Sequence, residues 1–194
     1  FTDLADVFAL KEIGFQDGVL IKERHNESGA RVFGGNLEGK VAWRDKVQVQ
    51  AGLTAQNSRY KEARTWSDEG GVEATRKMFR TPDLYGYLSA SYNPIKRMQL
   101  SLTGTYTGSM LIEHHAGFID SNISVETPDF WDLNFKIAYD FKVYSSFSLQ
   151  LNAGVQNMLN SFQKDFDSGA DRDSGYIYGP TLPRSFFLGI KLNY

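Results

Sequence analysis

The stretch Trp131-Asp132-Leu133-Asn134-Phe135-Lys136-Ile137-Ala138-Tyr139-Asp140-Phe141 carries the pattern that decides the fold. Trp131, Leu133, Phe135, Ile137, Tyr139 and Phe141 fall on one parity, and Asp132, Asn134, Lys136, Ala138 and Asp140 on the other. A period of two puts successive side chains on opposite faces of a β-strand, and helical spacing cannot produce it. The alternation resumes downstream, with Phe147, Leu149, Leu151, Ala153 and Val155 against Ser148, Gln150, Asn152, Gly154 and Gln156. Only Lys142 to Ser146 separate the two segments, which predicts a hairpin.

Upstream the same period recurs. Met98, Leu100, Leu102, Gly104 and Tyr106 oppose Gln99, Ser101, Thr103 and Thr105, and the strand before carries Leu84, Gly86, Leu88, Ala90 and Tyr92 on one face. Asn93-Pro94-Ile95-Lys96-Arg97 is a short turn between them. Phe33, Leu37, Val41 and Trp43 alternate with Asn36, Glu38 and Lys40, and Arg44-Asp45-Lys46 turns into Val47, Val49, Ala51 and Leu53. The segment around Asp6-Val7-Phe8-Ala9-Leu10 is expected to pair with the chain from Val19 onward across a Gly14 to Gly18 tip. Ser185 to Tyr194 alternates to its end. About eight antiparallel strands result. Three connections are tight, whereas Lys61 to Arg80, Ser109 to Asp129 and Met158 to Leu182 are long and polar, well beyond the usual 2 to 5 residues of a hairpin loop. Short and long alternate, which puts the short turns on one rim and the long loops on the other.

Composition narrows the function. The 194 residues contain no cysteine, which excludes a disulfide scaffold, a zinc ribbon and a thiol enzyme. A net charge of -2 lacks the basic footprint of a duplex nucleic-acid binder, so no nucleic-acid partner is expected. Mean hydropathy is -0.38, and no run approaches the roughly 18 apolar residues of a membrane helix. A transmembrane β-barrel remains open, because its two faces average to an ordinary hydropathy. The chain starts Phe1-Thr2-Asp3-Leu4, with neither an initiator Met nor a signal peptide, so processing or a longer parent protein is expected.

A soluble β-sandwich or a lipocalin would alternate in the same way. Three features favour a membrane wall. Alternation persists for about 10 residues in several strands, the length a tilted strand needs to cross a bilayer. Aromatics bracket the apolar faces, as with Trp131 and Phe141 or Phe186 and Tyr194. The other face is rich in Gln, Ser, Thr, Asn and Gly, which suits a wet lumen. Leu133, Phe135, Ile137, Leu149, Leu151, Leu188, Ile190 and Leu192 are therefore expected to face lipid.

The residues Leu151-Asn152-Ala153-Gly154-Val155-Gln156-Asn157-Met158-Leu159-Asn160-Ser161-Phe162, followed by Tyr176-Ile177-Tyr178-Gly179-Pro180-Thr181-Leu182-Pro183-Arg184-Ser185-Phe186-Phe187-Leu188-Gly189, resemble the end of TonB-dependent outer-membrane receptors, particularly those of Bacteroidetes-type bacteria. Arg80-Thr81-Pro82-Asp83-Leu84-Tyr85-Gly86, Asn93-Pro94 and the opening Asp6 to Leu10 look like the same family. Gly189, Leu192 and Tyr194 match the terminal signal read by the barrel-assembly machinery, although Phe187 stands where that signal usually has a polar residue, and Tyr194 replaces the commoner Phe. The resemblance implies a transmembrane antiparallel β-barrel of 22 strands, with residues 1–194 supplying about the last eight and the plug domain and TonB box absent from this chain. It further implies TonB-energised uptake across the Gram-negative outer membrane of a scarce nutrient: siderophore-iron, haem, cobalamin or a glycan. The implied partners are outer-membrane lipid, the TonB motor acting through the plug, the barrel-assembly machinery and a surface lipoprotein. No resident cofactor is implied.

Among the loops, Trp66 with Arg64 and Arg76, His114 with His115, and Tyr176 with Tyr178 are candidates to contact ligand, or to cover a plug or lipoprotein. Adjacent histidines in an extended segment point apart, which argues against a shared metal and for ordinary loop polarity. Asp165, Asp167, Asp171 and Asp173 suggest a calcium loop, but Gly169 occupies the third ligand position, so a solvated acidic loop is expected. Neither a nucleophile elbow nor a carboxylate pair is present, and no enzyme is expected. The alternatives are a free-standing eight-stranded barrel, structural or adhesive, or a lipid enzyme with Ser and His at a rim; small polar residues would fill so narrow a lumen poorly.

Overall fold

The computed structural model of the chain describes residues 1–17, 19–68, 72–144 and 147–193, those at 15, 20 and 193 by backbone alone. Its elements are all strands: β1 (Thr2–Gln16), β2 (Val19–Trp43), β3 (Val47–Arg64), β4 (Thr75–Lys77), β5 (Leu84–Tyr92), β6 (Met98–Thr107), β7 (Leu111–His114), β8 (Ile123–Glu126), β9 (Phe130–Tyr144), β10 (Phe147–Gln156) and β11 (Ser185–Asn193). One antiparallel sheet runs β1-β2-β3-β5-β6-β9-β10-β11, with β4 added beside β3; β7 and β8 form a separate two-stranded ribbon. Among the described residues no helix is long and apolar enough to cross a membrane.

The register turns the sequence pattern into a surface. Val41 lies opposite Val49, Val49 opposite Ala90, Ala90 opposite Leu102, Leu102 opposite Phe135, Phe135 opposite Val155, and Val155 opposite Phe186. A second row runs Trp43, Val47, Tyr92, Leu100, Ile137, Ala153, Leu188. Every apolar set from β2 to β11 is therefore in phase, and a one-residue slip in any ladder would have sent half of it to the other face. Phe33, Tyr106, Trp131 and Phe186 stand toward the loop-side end of this face, and Trp43, Tyr92, Tyr139 and Phe141 toward the turn-side end. Leu37, Val41, Leu188 and Ile190 are among its most exposed members. Leu133, Phe135, Ile137 and Leu149 share the face and are half-buried by their lateral neighbours.

The opposite face carries Gln48, Gln50, Ser89, Ser91, Ser101, Thr103, Asn134, Gln150 and Asn152 in the same lateral order. It is not purely polar: Tyr85, Tyr87 and Phe187 belong to it as well. Its side chains bond across strands, with Gln50 Nε2 donating to Glu38 Oε1 at 2.7 Å and Gln150 Nε2 to Asp140 Oδ1 at 2.9 Å.

Several expectations need correction. The Val19 and Phe33 segments are one continuous strand of 25 residues, and β3 runs on through Lys61 to Arg64, where a loop was expected. The β1–β2 tip is short yet lies on the long-loop rim, because those strands extend instead of a loop. The long connections contain β4, β7 and β8. At the other rim Lys142, Val143 and Tyr144 complete β9 where a turn was expected; the rest of that expected turn, residues 145 and 146, lies outside the described residues, as do Gly18 of the tip and Tyr194 of the terminal signal. Among the described residues β1 and β11 are not paired with each other, so the eight-strand path is an open sheet.

Candidate functional site

The buried core lies above the wall, in a layer built by the loops and by the projecting ends of β1, β2 and β3. Met110, Ile112 and Tyr176 form its centre, flanked by Val125 and Tyr178. Trp66 is 2 % exposed, donating Nε1 to Ser124 Oγ at 3.0 Å with its ring edge-on to His115. Trp66 and Tyr176, expected among the exposed loop aromatics, are both core residues of the layer.

The two histidines do point apart, and each ties a different element. His114 Nε2 lies 3.0 Å from both carboxylate oxygens of Asp167, and its ring stacks on Tyr176 with centroids 3.5 Å apart. That side-chain pair is 7 % and 2 % exposed, so it replaces ordinary loop polarity with a buried, hydrogen-bonded joint between the 108–129 and 157–184 connections. His115 Nδ1 approaches Glu12 Oε1 at 2.6 Å, and Lys22 Nζ stands 3.6 Å from the same oxygen. Asn122 Nδ2 donates to Glu12 Oε2 and to Ser67 Oγ, both at 2.9 Å. The β1–β2 hairpin is thereby held to two loops.

The acidic segment is not solvated throughout. Asp167 accepts the Asp173 backbone N–H, Asp173 accepts those of His115 and Gly175, and Asp165 accepts the hydroxyls of Tyr176 at 2.8 Å and Tyr178 at 2.5 Å. Burial alone would raise Asp165, but the Tyr178 and Tyr176 hydroxyls outweigh it and hold the carboxyl below its ordinary value. Burial first, and the bond to Asp165 second, push the Tyr176 phenol up to about 12 and Tyr178 higher still. Among the described residues no three His, Asp or Glu side chains are grouped to hold a metal ion.

Arg80, in the left-handed region at φ 54°, donates to the carbonyls of Ile177 at 3.1 Å and Gly175 at 2.6 Å and so pins the 65–83 connection to the 157–184 one. Beside it lies a cavity of about 310 Å³ on the side continuous with the polar face, lined by Phe8, Ala9, Leu10, Arg24, Tyr60, Arg64, Phe79 and Arg80 together with one carboxylate, Glu113, which Arg80 Nε approaches at 3.6 Å. Phe8 is 82 % exposed there. The Arg64 guanidinium sits 4.8 Å over the Tyr60 ring, and its buried Nε has no hydrogen-bond partner among the described residues. Glu12, Arg24, Phe8 and Phe79 carried no sequence signal, because only the fold brings them to this rim. Arg76 faces the other side of the sheet, its Nε donating to the Tyr60 carbonyl at 3.0 Å.

No family model and no curated protein matches this chain. Among solved structures, the ferric-catecholate import receptor Fiu from K12 E. coli, in its closed form, is similar over 95 % of this chain with a TM-score of 0.59 and 22 % identity. The chain spans 23 % of that receptor's length. The fold is that of a stretch of the import receptor: an all-β antiparallel wall carrying a packed loop layer on one rim.

Proposed function

We propose that this chain is a wall and loop segment of a TonB-dependent outer-membrane receptor that imports a scarce nutrient, with residues 1–194 belonging to the C-terminal part of its barrel. The observation that carries this reading is the uncharged apolar face, in phase across seven strands, opposite a polar face and beneath a loop layer; its likeness in fold to an import receptor supports it. Lipid takes the place of a core for the outer residues, and the backbone groups of neighbouring strands bond to each other because hydrocarbon offers no alternative. The open edges at β1 and β11 are where the remainder of the wall joins. Plug, TonB box and motor contact belong to the rest of the protein, and transport draws on the motor and not on catalysis by this chain.

Of the nutrient classes, the inward rim cavity favours an anionic one. Arg24, Arg64 and Phe8 offer it charge and an aromatic surface, as a ferric siderophore requires. The test is nutrient-limited uptake by the intact receptor, supplied in turn with a ferric catecholate, haem, cobalamin and an oligosaccharide. Arg24→Gln with Arg64→Gln should lower uptake of the anionic chelate about tenfold or more. Uptake of a neutral oligosaccharide alone, or no effect of the arginines, would overturn the ligand assignment.

A further inference from the structure

On the outward face of β2 and β3 the apolar band ends abruptly. From Phe33 on β2 to Leu192 on β11 this face carries no charged residue; the next row beyond Phe33 and Asn57 is Arg31 opposite Arg59, with Lys61 one step further along β3. Arg31, Phe33, Asn57, Arg59, Lys61 and Arg76 line a concavity of about 610 Å³. Two carboxylates balance part of the four cations: Asp3 takes Arg31 Nη2 at 3.1 Å and Lys61 Nζ at 2.5 Å, while Asp83 takes Arg59 at 3.1 and 3.3 Å. Arg76 has no acidic partner among the described residues. Two aromatics stand beside the cluster on the same face, Phe33 at 66 % and Phe1 at 78 % exposure, with the Arg31 guanidinium 5.9 Å over the Phe1 ring.

We propose that this pocket binds the phosphate-bearing headgroup of a lipid in the leaflet next to the loop layer, with the acyl chains lying down the Phe33, Leu37 and Val41 column. The placement selects lipid over free phosphate. A net-positive concavity directly above exposed apolar side chains fits a molecule with phosphate at one end and hydrocarbon at the other, and guanidinium groups match phosphate oxygens two at a time. Arg31 and Arg59 are pre-positioned by Asp3 and Asp83, leaving donors of Arg76 and Lys61 for the headgroup. This assignment rests on the reading that the apolar face meets lipid.

The experiment uses the intact protein in dodecyl maltoside micelles, titrated with diphosphorylated lipid A, with the same lipid after enzymatic dephosphorylation, and with inorganic phosphate; bound lipid is counted by native mass spectrometry. Binding of the diphosphorylated lipid at least about tenfold tighter than its dephosphorylated form is expected, weakening with salt and unaffected by inorganic phosphate at equal concentration. Lys61→Gln with Arg76→Gln should abolish the difference, whereas Lys136→Gln on the opposite face should not. Equal binding of both lipids overturns the headgroup site, and competition by inorganic phosphate overturns its lipid source. The first comparison needs no variant, so a folding defect in the double variant does not shield the proposal. Solubility without detergent would instead refute the membrane reading itself, which separates the two failures.

Discussion

Gly52 and Tyr87 face each other across the β3–β5 ladder, and the Tyr87 ring lies where a Cβ on Gly52 would be, its nearest carbon 2.5 Å from that point. Only ring atoms approach so closely there; no backbone does. The ring is held in place because its hydroxyl bonds to Glu38 and accepts from Gln50 Nε2 at 3.1 Å. Glycine on one strand thus makes room for an aromatic on its neighbour, on the predominantly polar face.

Gly52→Ala should push the ring aside and destabilise the wall by about 1–3 kcal/mol, the usual cost of overpacking. Tyr87→Ala removes the obstacle, so the two substitutions should be non-additive by at least ~0.5 kcal/mol in a double-mutant cycle. Urea unfolding of the intact protein from lipid vesicles measures both. Strict additivity would show that ring and glycine do not interact.

The two faces should tolerate charge unequally. Leu151→Arg on the apolar face should cost about 2–4 kcal/mol near the bilayer midplane, while Gln48→Glu on the polar face, opposite Ser91, should barely alter assembly. Heat-modifiable electrophoretic mobility after refolding reads the outcome, and equal effects would contradict the face assignment.

His114→Ala leaves the buried Asp167 carboxylate without its imidazole hydrogen-bond partner. Taking the hydrogen-bond partner from a buried group typically costs about 1–3 kcal/mol. That energy acts on the loop layer and not on the wall, so protease cleavage between residues 160 and 175 should accelerate roughly tenfold or more. Mobility of the folded barrel should stay unchanged.

The Asp165, Tyr176 and Tyr178 joint gives the layer a pH range. Tyr176 holds its proton more tightly in the closed layer, so closure loses stability as pH rises from the ordinary phenol value of 10.0 toward about 12. Asp165 is shifted down, so its contribution is present above the ordinary carboxylate value of 3.8 and is lost as pH falls below it. Proteolysis of the loops should be slowest between these limits, with Tyr178→Phe weakening the acid-side protection.

Much of this was readable in the sequence, and for a physical reason. Where one face meets hydrocarbon, every second residue is constrained, so Trp131 to Phe141 and Leu149 to Val155 announce both strand and face. Above the band that constraint disappears. Arg24 to Ser28 and Lys61 to Arg64 have water or protein on both sides, so their strand state shows no alternation and emerges only through pairing with β1 and β4. The loop layer was opaque because its bonds span long separations, as between His114 and Asp167 or Glu12 and Asn122. Trp66 and Tyr176 read as exposed loop aromatics; they are buried because the loops make a core of their own.

The absence of cysteine makes the central claim directly measurable. Leu151→Cys and Gln150→Cys, each labelled with an environment-sensitive fluorophore in the intact protein reconstituted into vesicles of brominated phospholipid, report which face meets acyl chains. Strong quenching at residue 151 with little at 150 is the result expected of a membrane wall. Equal quenching at the two positions, or none at either, would contradict it.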